Sequence, residues 1–357
     1  MHSSGRRIAV VFLTSAGAEV AERLAAAWPA DWGADLYSPK GSLSDLVRGL
    51  WASYDGFVFI MAVGIAVRVI APLLQDKWSD PGVVVVDEKG NFAVSLVGGH
   101  WGMANDLARR VAAAIGAVPV VTTATDVQGR PAIDVLAREC GFYPIPRERV
   151  KLVNKALLRG ERVVVFTEWE LPSVGGGDLL EFVPWEERRS SVADGAAVFV
   201  TSRVIDPLPD GALCLCPRSL VAGIGCKRGV SAAEVLDAVR FALRQAGRRR
   251  EGLRGLASHL IKEDEVGLRE AALALGVELE FFGTELLQSV AEKLPQIRRS
   301  DFVKSRLGVE GVCEPAAVAA ARDGSLILSK TCVGRVTVAL AEDGLLLSAS
   351  GREIRRI

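Results

Sequence analysis

Short apolar runs alternate with amphipathic segments along the first 145 residues. The runs at 8–13 and 56–61 are continuous enough for buried strands, whereas the segments at 18–27 and 65–74 repeat apolar residues at the three- and four-residue spacing of helices. Alternating strands and helices of this kind predict a mostly parallel sheet covered by helices. The N-terminal part is therefore expected to be an α/β domain.

The pattern then changes to an antiparallel one. The apolar runs Val83 to Val86 and Phe92 to Val97 are joined by the turn-forming residues 87–91, which predicts a hairpin. Apolar positions recur at helical spacing as far as Gly116, and Pro119 to Val121 then forms a short apolar run. A helix and a further strand are therefore predicted after the hairpin.

Both of the last two predicted strands end in polar loops. Open α/β sheets bind ligands at the carboxyl ends of their strands, so two such ends close in sequence indicate a site. The loops supply glycines, a histidine, small hydroxyl residues and an acid: Gly98, Gly99, His100, Gly102, Thr122, Thr123, Thr125 and Asp126.

Changes in the pattern of apolar, polar and glycine residues divide the chain into three predicted domains, 1–145, 146–217 and 218–357. Pro131 suits the first residue of a helix that reaches Glu139. The middle domain is expected to be a small α+β segment with strands at 161–166 and 198–204 and a flexible break at 175–177. Its last stretch, Pro207 to Pro217, has the proline and glycine density of a linker.

The third domain opens with a strand, 220–224, and the glycine-rich turn G-I-G-C-K-R-G from Gly223 to Gly229. Ser231 and Glu234 stand at capping-box spacing and mark the start of a helix. A strand, a glycine turn and a helix N-terminus predict an oxyanion site. Further on, Pro315 is expected to open a helix, and strands are predicted at 325–328 and 335–341, so this domain is again α/β.

Composition and charge narrow the function. The chain has 357 residues, with 43 basic and 43 acidic side chains, so it lacks the basic field of a nucleic-acid binder. Its longest uncharged apolar run, 56–67, is too short to cross a bilayer, and the run after Arg6 and Arg7 is too short for a signal peptide. We therefore expect a cytoplasmic protein with no membrane partner.

The six cysteines do not form a pattern of paired spacings, and the chain has three histidines. Reduced, mostly buried thiols are expected rather than disulfides or a metal site. Cys226 is either a nucleophile near a helix N-terminus or a small buried residue, and we favour the second. Glu314 is either catalytic or a helix N-cap, and we favour the cap.

Motifs along nearly the whole chain resemble those of one enzyme family, the cobalt-precorrin-5A hydrolases of anaerobic cobalamin biosynthesis. In the N-terminal part these are M-A-V-G-I-A-V-R-V-I-A-P-L-L-Q-D-K from Met61, D-P-G-V-V-V-V-D-E-K-G from Asp80, G-G-H-W-G-M-A-N-D-L-A-R-R from Gly98 and T-T-A-T-D from Thr122. In the C-terminal part they are G-I-G-C-K-R-G from Gly223, D-E-V-G-L from Asp264, V-C-E-P-A-A from Val312 and the strand 330–339. The family usually has S-G-H-L-G-G-A-N where this chain has Gly98, Trp101 and Met103.

The resemblance implies opening of the δ-lactone of a cobalt macrocycle, giving cobalt-precorrin-5B with release of acetaldehyde. Lactone hydrolysis needs proton transfer, donors to the tetrahedral oxyanion and cations for a polycarboxylate substrate. His100 is the candidate base or proton donor, with loop bracing as the structural alternative, and Asp126 either orients it or is the base. Asn105 and Thr125 complete the candidate catalytic set. The candidate substrate-binding residues are Gly98, Gly99, Gly102, Thr122, Thr123, Arg68, Gly223, Gly225, Lys227, Arg228 and Lys330, with Lys304 and Arg306 as further cations.

No cofactor or protein-bound metal is expected, because the substrate carries its own cobalt. The expected partners are the cobalt corrinoid and, transiently, other enzymes of the pathway. Two alternatives stay open: a corrinoid carrier that does not react, which acetaldehyde release would exclude, and a nucleotide-binding α/β enzyme. The second lacks a P-loop lysine–serine signature, and a nucleotide-binding assay would decide it.

Overall fold

A six-stranded sheet with helices on both faces organises residues 1–135, the first of two units into which the chain divides. The computed structural model describes residues 6–28, 32–172, 178–189, 196–294 and 311–357. The elements of this unit are β1 (Arg6–Phe12), α1 (Ser15–Ala26), β2 (Trp32–Tyr37), α2 (Leu43–Leu50), β3 (Gly56–Ile60), α3 (Val63–Ile70), β4 (Gly82–Val86), β5 (Phe92–Val97), α4 (Ala104–Ile115), β6 (Val118–Val120) and α5 (Ala124–Val127).

The strand order is β2-β1-β3-β4-β5-β6, and the direction reverses once. Strands β1 to β4 are parallel, whereas β5 is antiparallel to β4, with Val83 opposite Val97. Strand β6 is parallel to β5. The predicted α/β architecture and its hairpin are thus confirmed, and β5 and β6 both end at the edge where β3 and β4 begin.

Two apolar layers explain the continuous hydrophobic runs. Val10, Val58 and Val84 face α1 and α4, whereas Phe57 and Phe59 face α2 and α3. Parallel strands buried on both faces lose the alternation of half-exposed strands. Strand β2 was not predicted because it is an edge strand, W-G-A-D-L-Y, that lacks such a run. Helix α2, which follows it, was not predicted either.

The second unit, residues 136–357, contains two five-stranded sheets. Its first part comprises α6 (Ile133–Cys140), which crosses the unit boundary, β7 (Phe142–Ile145), α7 (Val150–Leu158), β8 (Val163–Thr167), β9 (Leu180–Pro184), β10 (Ala197–Val200) and β11 (Leu213–Pro217). The sheet order is β7-β11-β10-β8-β9, and only the β7–β11 pairing is antiparallel.

Two local expectations for this part need correction, and a third is not tested. Residues 207–217 are not all linker, because Leu213 to Pro217 form a fully buried strand between two neighbours, and only 207–211 carries the proline and glycine density. Helix α6 begins at Ile133, two residues after Pro131. The glycines at 175–177 lie outside the described residues.

The second sheet of this unit has the order β14-β13-β12-β16-β15. Its elements are β12 (Leu220–Cys226), α8 (Ala232–Gln245), β13 (Leu253–His259), α9 (Val266–Leu275), β14 (Glu278–Phe282), α10 (Thr284–Glu292), α11 (Cys313–Ala320), β15 (Ser325–Val333) and β16 (Val336–Glu342), followed by the hairpin β17 (Leu345–Leu347) and β18 (Glu353–Arg355). The capping box of Ser231 and Glu234 is confirmed at the start of α8. Within the described ranges, no helix is long and apolar enough to cross a membrane.

Candidate active site

The loop between β5 and α4 is held tightly against the start of β4. Gly98 has φ +76°, a left-handed conformation that favours glycine. A Cβ on Gly82 would lie 2.1 Å from the carbonyl oxygen of Gly102, so the two backbones meet at a distance that no side chain permits. A Cβ on Gly99 would lie 3.0 Å from Oδ1 of Asn105. The glycines therefore allow a close approach that fixes the loop.

His100, on this loop, lies between two carboxylates. Its Nε2 is 2.9 Å from Oδ2 of Asp126 and its Nδ1 is 3.1 Å from Oδ1 of Asp134. The hydroxyl Oγ1 of Thr125 is 3.1 Å from the same Nε2. Asp126 and Thr125 belong to α5 and Asp134 to α6, so two short helices after β6 supply the three partners. The loops at the ends of β5 and β6 thus meet as predicted.

Asp126 is surrounded by donors. Asn105 donates from Nδ2 to Oδ2 of Asp126 over 2.9 Å, and Arg109 donates from Nη2 to Oδ1. Both residues lie on α4, where a spacing of four puts them on one face. With His100 on Oδ2 as well, this carboxylate accepts three hydrogen bonds from side chains.

Asn105 holds the two loops together. Its Oδ1 accepts a hydrogen bond from Ser95 Oγ at 2.7 Å, and its Nδ2 also donates to Thr123 Oγ1 at 3.0 Å. The side chain is buried, so every bond replaces one that water would otherwise make. We call His100, Asp126, Asp134, Asn105, Thr125 and Arg109 the His100 cluster.

The electrostatics of the cluster favour a charged imidazole. Burial alone would lower the pKa of His100, but the carboxylates of Asp134 and Asp126 outweigh it, and the pKa is raised above its ordinary value. For Asp126, burial would raise the pKa, but Arg109 and His100 overcome it and lower the pKa. The arrangement therefore suits His100 to donating a proton or a hydrogen bond, and it makes Asp126 a weak base.

Sequence reasoning missed part of this cluster. Asp134, Arg109 and Ser95 were not predicted, since an acid at the start of a helix and a base within one are ordinary surface residues in a sequence. Nor does its position on a loop make His100 an exposed residue, since its side chain is only 12% exposed.

Other predicted residues of the first unit lie around the cluster or away from it. Thr122 is exposed, whereas Thr123 is half-buried through its bond with Asn105. Arg68 is exposed on α3, and its Nη1 donates to the carbonyl oxygen of Gly64 on the same helix at 3.0 Å. The described hydrogen bonds do not connect Arg68 with His100.

The second unit contains a cavity of about 630 Å³, here called the C-terminal cavity. It brings together four of the predicted binding residues, Gly225, Lys227, Arg228 and Lys330. The fifth, Gly223, is instead buried beneath α11, where a Cβ would lie 1.8 Å from the carbonyl oxygen of Cys313. The remaining lining residues are Cys226, His259, Ile261, Lys262, Val312, Cys332, Gly334, Arg335 and Thr337.

The glycine turn beside this cavity is occupied by carboxylates of the protein itself. The N–H of Gly229 donates to Glu265 Oε1 at 2.7 Å, and that of Ser231 donates to Glu234 Oε2 at 2.9 Å. Cationic side chains, rather than these backbone groups, are what the cavity presents to an external anion. Lys304 and Arg306 lie outside the described residues.

The structure distinguishes between the two roles that the sequence left open for each of Cys226 and Glu314. Burial raises the pKa of the Cys226 thiol, which agrees with a packing role rather than a nucleophilic one. Glu314 is not a cap: Val312 occupies the N-cap position of α11, and Glu314 is fully buried with Oε1 accepting the Lys330 N–H at 3.0 Å. Helix α11 packs directly on β12 at Gly223, which draws the first turn and its acid into the core.

Comparison with known proteins identifies the family. A "Cobalt-precorrin-5A hydrolase" of Priestia megaterium is 33% identical over 85% of this chain and 82% of its own length. The protein of the same name from Salmonella typhimurium is 35% identical over 87% of this chain and 90% of its own. This chain belongs to the cobalt-precorrin-5A hydrolase family.

Family models divide the match into three parts. The chain matches "Cobalamin synthesis G N-terminal" at 45–126, "Cobalamin biosynthesis central region" at 131–217 and "Cobalamin synthesis G C-terminus" at 220–341. A solved cobalamin biosynthesis protein G homologue from Sulfolobus solfataricus is 24% identical, with a TM-score of 0.41 over 95% of this chain and 97% of that one. The three family models and the two hydrolase relatives confirm the resemblance drawn from the motifs.

The departures from the usual motif of this hydrolase family fall beside His100. Met103 has φ +65° at the N-cap of α4, a left-handed conformation that the family's usual glycine adopts without strain. Trp101 packs edge-on against Trp78, with ring centroids 4.8 Å apart, and the ammonium of Lys77 lies 4.4 Å from the Trp78 ring centroid. Trp101 of the loop thus forms an aromatic pair with Trp78, which precedes β4.

Thiols and metal-binding groups add little to these sites. All six cysteines are free, and Cys140, Cys214, Cys216 and Cys313 are buried, as expected. Across the part of the chain that the structure describes, histidines, cysteines and acids form no group of three suited to a metal ion.

Proposed function

We propose that this protein hydrolyses cobalt-precorrin-5A, opening its δ-lactone and releasing acetaldehyde to give cobalt-precorrin-5B. The observation that carries the proposal is membership of the hydrolase family over most of the chain, with 35% identity to the Salmonella protein. The His100 cluster supports it, because it gathers a charged donor and hydroxyl groups at one edge of a sheet.

In this reaction His100 acts as an acid. Water adds to the lactone carbonyl and gives up a proton to solvent, and the negative charge that develops on the carbonyl oxygen needs a hydrogen-bond donor. As the ring C–O bond breaks, His100 protonates the departing oxygen. The alcohol so formed then loses its O–H proton, and its C–C bond to the macrocycle breaks to release acetaldehyde, leaving the electron pair of that bond on the macrocycle. The carboxylates of Asp134 and Asp126 raise the pKa of His100 and so favour the imidazolium, which is able to supply that donor. Thr125, 3.1 Å from Nε2, is placed to hand a proton between substrate and ring.

Asp126 and Asn105 position this donor rather than react. Asp126 accepts bonds from Arg109, Asn105 and His100, and its pKa is lowered, so it keeps its charge and holds the ring. In the described part of the chain, the N–H groups of Gly99 and Gly102 make no hydrogen bond, and they are candidates to bind the oxyanion. Thr122, exposed in the loop after β6, is a candidate contact for the substrate.

The reaction as proposed uses no redox step and no added cofactor. The cobalt belongs to the substrate, and hydrolysis consumes only water. Purified protein should retain activity after dialysis against a chelator. Loss of activity that zinc restores would show that a protein-bound metal takes part.

The decisive experiment is anaerobic incubation with cobalt-precorrin-5A. Acetaldehyde is measured with alcohol dehydrogenase and NADH, and the corrinoid product is measured by mass spectrometry. We expect both products to rise together. Tight corrinoid binding without acetaldehyde would instead indicate a carrier.

A further inference from the structure

The C-terminal cavity carries more positive charge than its acidic neighbours balance. Five cationic side chains line it: Lys227, Arg228, Lys262, Lys330 and Arg335. Three of them have carboxylate partners. Arg228 contacts Asp264 at 2.6 Å, Lys262 contacts Glu265 at 3.5 Å and Arg335 contacts Glu234 at 3.7 Å.

Lys227 and Lys330 differ from the other three cations. Among the described residues, neither ammonium has a carboxylate within 4.0 Å. Lys227 follows the end of β12, and Lys330 lies within β15, so the two reach the cavity from different strands. Two ammonium groups at one cavity, neither with a described carboxylate within 4.0 Å, favour a ligand that brings at least two negative charges.

The other walls are apolar or neutral. Ile261 and Val312 contribute aliphatic surface, Thr337 donates its hydroxyl to the Gly225 carbonyl at 3.1 Å, and His259 is held between Thr284 and the Ile261 N–H. Burial lowers the pKa of His259, which keeps the ring neutral. An apolar wall with a few convergent polar groups is the usual composition of a small-molecule site, and the volume lies in the usual range.

We propose that the C-terminal cavity binds the carboxylate-bearing edge of the corrinoid, with Lys227 and Lys330 each pairing with one peripheral carboxylate. The identity of the ligand rests on the proposed function, whereas the preference for a multiply charged anion rests on the cavity alone. Arg228 and Arg335, already held by acids, form fixed walls and add little to binding.

The test uses the full chain and two stable corrinoids. Cobyrinic acid carries free peripheral carboxylates, whereas in cobinamide they are amidated. Binding is measured by equilibrium dialysis with detection of corrinoid absorbance. We expect Lys227→Ala and Lys330→Ala each to weaken cobyrinic acid binding about tenfold or more, and to leave cobinamide binding unchanged. Wild-type affinity for cobyrinic acid should fall as salt rises.

Lys227→Arg and Lys330→Arg should retain most of the affinity because they keep the charge. Lys151→Ala, an exposed lysine on α7, is the control and should leave binding unchanged. Equal affinity of wild-type protein and both alanine variants for cobyrinic acid would overturn the proposal, as would no binding of cobyrinic acid at all.

The outcome is separable from that of the proposed function. If wild-type protein releases acetaldehyde but binds cobyrinic acid independently of the two lysines, the cavity assignment fails and the hydrolase assignment stands. If the wild-type protein binds cobyrinic acid through the two lysines but releases no acetaldehyde, the hydrolase assignment fails and the preference of the cavity for a multiply charged anion stands.

Discussion

The His100 cluster and the C-terminal cavity both gather charged side chains, but only the first balances its charge. In the cluster, Asp126 and Asp134 face His100 and Arg109, and most of the polar atoms are half-buried or buried. In the cavity, Lys227 and Lys330 line the space, and no carboxylate of the described residues lies within 4.0 Å of either ammonium. A closed network fixes the geometry and protonation of a few atoms, whereas an open cationic cavity selects a ligand by charge. The comparison therefore separates a site suited to chemistry from one suited to binding.

The largest effect is expected from His100. His100→Ala should lower kcat at least about a hundredfold, because general acid catalysis typically contributes that much or more. Corrinoid affinity should change less than threefold if the cavity dominates binding. The measurement is acetaldehyde release at saturating substrate. His100→Gln, which keeps a hydrogen-bond donor, checks that lost folding is not the cause. Unchanged kcat in both variants would leave His100 only a loop-bracing role.

The next largest effect is expected on the free energy of unfolding, which should differ between variants of the His100 cluster and of the C-terminal cavity. Asp134→Ala removes a buried partner of His100 and should lower the free energy of unfolding by about 2 kcal/mol. Lys330→Ala removes an ammonium that has no described carboxylate within 4.0 Å, and it should change the free energy of unfolding by less than about 0.5 kcal/mol. Urea unfolding of each variant measures both values. Equal losses would mean that the cavity is as internally bonded as the cluster.

A third prediction concerns pH. If His100 acts as an acid, kcat should fall as pH rises through its raised pKa. Asp134→Asn removes a carboxylate that stabilises the imidazolium, so this alkaline limb should move to lower pH. The folded-state pKa of His100 is above its unfolded value, so the stability it contributes is complete below the unfolded pKa and is lost as pH rises through the folded one. An alkaline limb that stays in place in Asp134→Asn would contradict the assignment.

The smallest effect is expected at Met103. Met103→Gly relieves a left-handed backbone conformation, a gain of about 1 kcal/mol, but removes a side chain packed against the core. The two contributions should nearly cancel, leaving a change below about 1 kcal/mol in urea unfolding. Met103→Val, with a branched Cβ at positive φ, should be clearly destabilised. A stable valine variant would show that the loop relaxes at this position.

The sequence predicted those parts of the fold that depend on local patterns. The runs at 56–61 and 83–86 are buried on both faces of the sheet, so their hydrophobicity is continuous and easy to read. The capping box of Ser231 and Glu234 is likewise a local signal. Strand β11 was missed because its apolar core follows directly on a turn rich in proline and glycine.

The site was predicted where its residues follow strands and missed where helices bring them in. His100, Asp126 and Asn105 were found because they stand in or beside polar loops at strand ends. Asp134 reaches His100 only because α5 and α6 fold back over the loop, a tertiary contact across 34 residues. Glu314 was misassigned for the same reason, since only the packing of α11 on Gly223 buries it.

Because strand direction reverses once in the sheet of the first unit, its loops lie at two opposite edges a fixed distance apart. The His100 loop lies at the start of β4, while the loops after β3 and β4 lie at the far edge of the sheet. Five residues of strand separate the edges, which is about 16 Å at 3.3 Å per residue. A molecule that reaches both edges must be at least that long, so a small reactant bound after β3 is out of range of the imidazole.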